Sequence, residues 1–173
     1  LGTLTLEHSA LADNDAQTSG GGLSNYGTIT VEQSTLARNT APRGGAIFTQ
    51  GTATIRNSTL AWNDTTFNRE GAVANDGTMT VSNSIIAANQ SVNGQNCVGI
   101  SAVTSLGYNV SDDASCGLSA ASDLPATDAR LGPLADNGGP TQTVALLPFS
   151  PAVNSGDPLV CPASDQRGIA RPY

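Results

Sequence analysis

Apolar and polar residues alternate in the same way along four stretches of the chain, residues 2–14, 27–39, 51–63 and 77–89. Each stretch opens with Gly-Thr, and successive openings are 25, 24 and 26 residues apart. Every second residue after the opening is apolar, which is the period of a β-strand with one buried face. A pattern that recurs at this distance is typical of proteins built from stacked structural repeats.

The first strand of each copy is predicted to point its apolar side chains inward and its threonines outward. Residues branched at Cβ favour this extended backbone, because branching restricts side-chain rotation and suits the pleat. Stacked copies align the inward side chains one above another. The predicted core column consists of Leu4, Leu6, Ile29, Val31, Ala53, Ile55, Met79 and Val81.

Two further short strands are predicted in each copy. The second has one strong apolar position and closes on an asparagine, and the third, of the type Gly-Gly-Leu or Gly-Ala-Ile, precedes the next Gly-Thr. Asparagine tolerates turn geometry, and its amide can bond to an identical residue one coil away. We therefore predict a hydrogen-bonded asparagine ladder at Asn14, Asn39, Asn63 and Asn89.

Three short strands per coil predict an all-β fold, a right-handed parallel β-helix of about four to six coils. A left-handed helix of hexapeptides has a shorter and stricter period, and parallel crossovers favour the right hand. One continuous domain is predicted, with regular coils in residues 1–95 and with degenerate coils and a cap in residues 96–173. The C-terminal cap is rich in Pro and Leu, and proline cannot donate to a strand ladder.

The 173 residues carry a net charge of −7, and the seven cationic side chains are all arginine. Phosphate recognition needs a basic surface, so we expect no nucleic-acid partner. No apolar run reaches the length of a membrane span, and the N-terminal residues show no signal-peptide pattern. We expect no membrane insertion, and if the protein is secreted, its signal peptide has already been removed.

The first copy lacks the Gly-rich strand that precedes the other copies, since Leu1-Gly2 aligns with Tyr26-Gly27. Such a start is expected to leave open strand edges and an uncovered apolar column. The predicted edge for self-association consists of Leu1, Gly2, Thr3, Leu4, Thr5 and Leu6. The alternative explanation of this start is that the chain was cut from a longer surface protein.

Variable loops connect the copies at residues 15–20, 40–44 and 64–70. Loops of this kind leave one side of a solenoid and often make its contacts. Trp62 and Phe67 flank the longest loop, where two arrangements are compatible with the sequence. One is an exposed aromatic contact, and the other is an aromatic ring packed over the edge of the coil.

The C-terminal third carries the motifs S-L-G-Y-N, L-G-P-L-A-D-N-G-G-P-T-Q-T, A-L-L-P-F-S-P-A and C-P-A-S-D-Q-R-G. These motifs resemble the choice-of-anchor Q domain of bacterial surface proteins. The four copies before them resemble the pectin-lyase-like right-handed β-helix repeats that precede that domain. The resemblance covers essentially the whole chain. It implies an exported protein, extracellular or at the cell surface, of a kind that often has no known activity.

Three cysteines fit an oxidising compartment. Cys97 and Cys116 are the predicted disulfide pair and close a loop of about 20 residues, which corresponds to roughly 3 kcal/mol of stabilisation in the chain-entropy model. Cys161 is left as a thiol in this arrangement. Pairing of Cys161 with Cys97 or with Cys116 remains the alternative.

The outward-facing polar residues of the first strands are the candidates for an enzymatic function. Glu7 and Glu32 hold equivalent positions one coil apart, about 4.8 Å by strand spacing, and two carboxylates near that separation can serve retaining glycoside hydrolysis. An ion pair between Glu32 and Arg56, the next residue in the column, explains Glu32 without chemistry. His8 takes the place of Gln33, Asn57 and Asn83 in other copies, which favours a bend position over a catalytic base. We expect no enzyme, no cofactor and no metal.

The outward threonines form two predicted files, Thr3, Thr28, Thr52 and Thr78 in one and Thr5, Thr30, Thr54 and Thr80 in the other. This array resembles the ice-binding face of some solenoid antifreeze proteins. The simpler explanation is that threonine suits exposed strands.

The interpretation that these patterns favour is an extracellular structural protein that associates with itself, head to tail, into a filament or surface layer. One alternative is a β-helix that binds surface glycans or degrades polysaccharides, and another is ice binding. Asn-x-Ser/Thr occurs at Asn57, Asn63, Asn89 and Asn109. The first three coincide with predicted ladder positions, so Asn109 and the Ser/Thr-rich loops are the predicted glycosylation sites.

Overall fold

A computed structural model describes residues 2–66 and 71–171 of the chain. The regular elements of these residues are β-strands, numbered here in chain order, and they form a β-solenoid of about four turns. Sheet A contains β1 (Thr3–Glu7), β4 (Thr28–Glu32), β8 (Thr52–Arg56), β12 (Thr78–Ser82) and β15 (Val103–Ser105) in spatial order. Sheet B contains β2 (Ala10–Ala12), β5 (Thr35–Ala37), β9 (Thr59–Ala61), β13 (Ile85–Ala87) and β16 (Val110–Ser111).

Sheet C forms the third side of the coil. Its strands are β3 (Leu23–Asn25), β7 (Ile47–Thr49), β11 (Val73–Asn75) and β14 (Cys97–Val98). A short fourth pair, β6 (Thr40–Ala41) and β10 (Asp64–Thr65), lies in the loop region. The strands of these four sheets pair in parallel, while β17 (Leu131–Ala135) and β18 (Thr143–Leu146) form an antiparallel hairpin.

The coils stack without a shift in register. Thr3 lies opposite Thr28, which lies opposite Thr52, and the same one-to-one pairing continues through the five residues of each inner strand of sheet A. Gly27 shows why the copies open with glycine, because a Cβ at this position would collide with the backbone oxygen of Gly2 in the neighbouring coil. The repeat in the sequence is therefore a repeat in space.

The core is a column of aliphatic side chains between the three sheets. Six of the predicted column residues are essentially inaccessible: Ile29, Val31, Ala53, Ile55, Met79 and Val81. Leu6 is half-buried against them. The prediction of a buried Leu4 is wrong, since this side chain is 50% exposed. Strand β1 pairs only with β4, and within the described residues no further coil covers Leu4 on its other side.

The other end of the core is covered. Cys116 and Leu118 are buried and belong to the same apolar cluster as the column. Leu124 forms a parallel bridge with Val110, which continues sheet B by one position. Residues 114–124 thus close the column after the last coil.

Residues 125–171, here called the lateral segment, run back along the side of the solenoid beside sheet B. Ala87 and Val110 on sheet B pack with Ala129 of this segment. At the far end of its course, Gln166 accepts a hydrogen bond from the Thr35 hydroxyl at 2.7 Å and donates one to the Ser9 carbonyl at 3.0 Å. The Pro- and Leu-rich part of the chain therefore extends well beyond an end cap, as far as the first coil.

Candidate functional surfaces

The four predicted ladder asparagines form one continuous file inside a bend. The Asn14 amide donates to Asn39 at 2.8 Å, Asn39 to Asn63 at 3.0 Å, and Asn63 to Asn89 at 3.0 Å. The file continues from Asn89 to the side-chain oxygen of Asn96 at 2.9 Å. Asn39 and Asn63 are fully buried, so the ladder serves the interior of the fold and presents no group to a ligand there.

A second ladder, of serines, was not predicted. The backbone N–H of Ser9 donates to the hydroxyl of Ser34 at 3.1 Å, and Ser34 and Ser58 repeat this bond to the next serine at 3.1 and 3.2 Å. Ser84 ends the series by donating to Asn109 at 3.0 Å. The signal was present in the sequence, because a serine holds the same position in all four copies.

Asn109 is wrong as a glycosylation site. Its side chain is fully buried, and its amide donates to Ser105 at 2.9 Å and to the buried carboxylate of Asp123 at 3.0 Å. A transferase cannot reach an amide in this position. The residue belongs to the core because the degenerate fifth coil replaces the repeated serine with Asn109.

His8 lies in a bend and contacts the equivalent residue of the next coil. Its Nε2 is 3.0 Å from the side-chain nitrogen of Gln33 in the next coil. His8, Gln33, Asn57 and Asn83 share positive φ angles between 44° and 51°. Polar residues with short or flexible side chains tolerate this left-handed conformation, so the position is explained by backbone geometry.

The carboxylates of the first strands lie on an open face. Glu7 is opposite Glu32 in the register of sheet A, and Arg56 pairs with Glu32 at 2.9 Å. Both partners of this ion pair contact solvent, where such pairs contribute about 1 kcal/mol or less. The predicted ion pair between Glu32 and Arg56 is therefore present across the two strands.

The outward side of sheet A is a threonine face. Its two files are Thr3, Thr28, Thr52 and Thr78, and Thr5, Thr30, Thr54, Thr80 and Thr104. The first file is exposed, and the inner members of the second are half-buried by their neighbours. Thr104 was missed because the fifth coil lacks the Gly-Thr opening, although its strand pairs with β12 in the same register.

The predicted self-association edge lies on the side of β1 that, within the described residues, pairs with no strand; it is called the free edge below. Bonds from Thr28 N to Gly2 O and from His8 N to Glu32 O show that the even-numbered residues bond to β4. In a parallel pair, alternate residues bond to opposite sides. The N–H and C=O groups of Thr3 and Thr5 therefore face the free edge. Leu1 lies outside the described residues.

A cleft of about 910 Å³ lies between sheet B and the lateral segment. Its lining includes the polar side chains of Asn57 and Asn83, the Tyr108 ring and Arg167. At its rim, Asp165 accepts hydrogen bonds from the Arg167 guanidinium at 2.6 and 2.9 Å. Burial acts to raise the pKa of Asp165, but these bonds and two backbone N–H groups hold it below its ordinary value.

The disulfide between Cys97 and Cys116 is confirmed. It joins β14 to the segment that closes the column. Cys161 is a free, half-buried thiol, so the alternative pairings of Cys161 are wrong. The bond connects two irregular stretches of chain in which the repeat has broken down.

Trp62 packs under the lateral segment. Its indole N–H donates to the Gly132 carbonyl at 3.2 Å, and the residue is 36% exposed. This arrangement agrees with a ring packed over the coil edge. The prediction for Phe67 concerns a residue outside those that the structure describes.

Within residues 2–66 and 71–171, no helix is long and apolar enough to cross a membrane. The same residues contain no group of three or more His, Cys, Asp or Glu side chains arranged to hold a metal ion. Comparison with protein-family models, curated proteins and solved structures finds no match to this chain. The resemblance to choice-of-anchor Q and pectin-lyase-like proteins therefore rests on the sequence motifs quoted above.

Proposed function

We propose that this β-solenoid is an extracellular structural protein without enzymatic activity, which associates head to tail through the free edge of sheet A. The observation that carries the proposal is that, within the described residues, β1 pairs with β4 alone, so that backbone groups and the half-exposed Leu4 lie side by side along its other edge. A strand edge of this kind is a template for another strand. The disulfide supports an oxidising compartment outside the cytoplasm.

The matching surface on a second copy is the opposite edge of the same sheet. Strand β15 is the last strand of sheet A, and the bond from Leu106 N to Val81 O shows that its even-numbered residues face β12. The backbone groups of Val103 and Ser105 therefore face outward. Parallel pairing of β1 with β15 of another copy continues the threonine files across the junction.

The contact is expected to be weak. Cys116 and Leu118 cover the core at the β15 end, so only sheet A can continue from one copy into the next. Two or three new backbone hydrogen bonds contribute about 1 kcal/mol each, and burial of Leu4 adds about 1–2 kcal/mol. Assembly is therefore expected at high local concentration, as in a surface layer.

Proline substitutions test the two edges separately. Thr5→Pro and Val103→Pro each remove an N–H at a free edge and leave the ladder bonds to β4 and β12 in place. Sedimentation velocity across a concentration series measures association of the wild-type chain and of each variant. Head-to-tail assembly predicts that either variant alone is monomeric. It also predicts that an equimolar mixture forms dimers, because each variant retains one intact edge.

Other outcomes contradict the proposal. A wild-type chain that stays monomeric at the highest attainable concentration excludes self-association. Loss of association in Thr5→Pro but not in Val103→Pro indicates a head-to-head contact. Urea unfolding of both variants checks that each is folded, since an unfolded variant would also fail to associate.

The lateral cleft supports a second candidate function, binding of a surface glycan. Its volume of about 910 Å³ lies within the range of small-ligand sites, and it combines amide groups with one aromatic ring, groups that suit sugar hydroxyls and ring faces. Titration with oligosaccharides, followed through amide NMR shifts, tests this candidate. Shifts confined to residues near Asn57 and Tyr108 support it, and unchanged spectra with every sugar refute it.

A further inference from the structure

The threonine face of sheet A differs from every other outward side of the solenoid in its regularity. Nine threonines stand in two files, one across four strands and the other across five, without a shift in register. Neighbours within a file are about 4.8 Å apart, and the two files are about 6.7 Å apart along the strand. The surface thus repeats in two directions.

The hydroxyl groups of this face are available to water. Among the described residues, only one hydrogen bond joins protein groups there, from the Thr80 hydroxyl to that of Thr54 at 3.4 Å. Threonines elsewhere bond to protein, as the Thr35 hydroxyl does to Gln166 and the Thr49 hydroxyl does to Asn25. The outward hydroxyls of sheet A are thus left to bind solvent.

The array is also held rigidly. Threonine is branched at Cβ and has few side-chain rotamers on a strand, and each strand is fixed by pairing with its neighbours. The buried asparagine and serine ladders lock successive coils in the same register. The hydroxyl oxygens that can bind water are therefore held at repeating positions.

The two files of the face are uncharged and rich in hydroxyl groups. No charged side chain lies in either file, although the chain carries a net charge of −7. Glu7, Glu32 and Arg56 form one border, where Glu32 pairs with Arg56, and Asp76, two residues before Thr78, pairs with Arg43 at the other border. No aromatic ring lies in the files to stack on a sugar ring. The two files therefore present the methyl and hydroxyl groups of threonine.

We propose that the threonine face of sheet A binds ice, with the two files holding waters at positions that continue into the ice lattice. This property is independent of self-association, because it uses the outward side of sheet A and not its edges. End-to-end stacking of copies enlarges the face without changing its chemistry.

The test measures inhibition of ice recrystallisation by the purified chain. A double variant, Thr28→Tyr with Thr52→Tyr, puts two large rings in the middle of the exposed file and keeps good strand formers there. Loss of inhibition is expected. The matched control is Ser24→Tyr, which places the same ring at an exposed strand position of sheet C and is expected to leave inhibition unchanged.

Thermal unfolding verifies that both variants are folded. A milder second variant combines Thr28→Ser with Thr52→Ser and removes only two methyl groups from the file. A wild-type chain that does not inhibit recrystallisation overturns the proposal. Equal loss in the Ser24→Tyr control overturns it as well, since the effect then does not belong to sheet A. A wild-type chain that binds insoluble polysaccharide but has no effect on ice also refutes the proposal.

Discussion

Replacing Asn63 by alanine removes the middle of the asparagine ladder. The Asn63 amide donates to Leu36 O at 2.9 Å, to Ala61 O at 3.1 Å and to Asn89 at 3.0 Å. Its oxygen accepts from the backbone N–H and from the side-chain amide of Asn39 at 3.1 and 3.0 Å. Since Asn63 is fully buried, water cannot replace these partners.

The expected loss of stability follows from the groups left without partners. The backbone N–H of Asn39 becomes a buried, unsatisfied donor, which costs about 1–3 kcal/mol. Loss of the bonds to the Asn39 amide and to Leu36 O adds about 1 kcal/mol each. The Asn39 amide keeps its hydrogen bond to Leu11 O, so this amide loses only one of its two hydrogen bonds. Asn63→Ala is therefore expected to lower the free energy of unfolding by about 3–5 kcal/mol.

Asn14→Ala is the matched control. Asn14 is exposed and gives up only one side-chain bond, to Asn39, so the expected loss is about 1 kcal/mol or less. Urea unfolding followed by circular dichroism measures both variants, with the slope of the transition checked for constancy. Equal effects of the two substitutions would refute the reasoning, because they would show that burial of the ladder does not set its contribution.

The remaining predictions concern other parts of the fold. Cys97 and Cys116 are 19 positions apart in the sequence. Reduction of their disulfide is expected to lower the urea midpoint by the equivalent of about 3 kcal/mol. The urea midpoint of a variant with alanine at both positions should not change when reductant is added. A hydrogen bond from Arg43 holds the pKa of Asp76 below its ordinary value. The ionised Asp76 therefore stabilises the folded state above the ordinary pKa of an aspartate, and this contribution is lost as the pH falls below about 4. Acid unfolding of Asp76→Asn is expected to depend less on pH over that window. Ala88 has a φ of 58°, so Ala88→Gly should raise the free energy of unfolding by about 0.5–1 kcal/mol, whereas glycine at the buried strand residue Ala87 should lower it.

The repeating part of the fold could be predicted from the sequence because each coil contacts mainly its neighbours. Alternation set the inward positions of Ile29 and Ile55, and the spacing of the copies set which residues lie opposite each other. The same reasoning extends to the serine ladder, whose signal was equally regular. A position that recurs in every copy has the same surroundings in every coil, so one explanation covers all of them.

The non-repeating part could not be predicted in this way. The bond between Gln166 and Ser9 joins residues 157 positions apart, and no periodicity connects them. The Asn109 prediction failed for a related reason. Its sequence motif resembles an exposed site, but Asp123, which pairs with its buried amide, lies in a stretch without repeats.

The lateral segment changes how this stack of coils is expected to come apart. A chain of repeats held only by nearest neighbours frays from its ends, one unit after another. Here a single stretch of polypeptide touches the first coil at Ser9, the second at Thr35, the third at Trp62 and the fourth at Asn83. Peeling away the outermost coil therefore also breaks its contact with a segment that is anchored on the other coils. We expect melting in one cooperative transition, and we expect the segment to resist a pull on the exposed end.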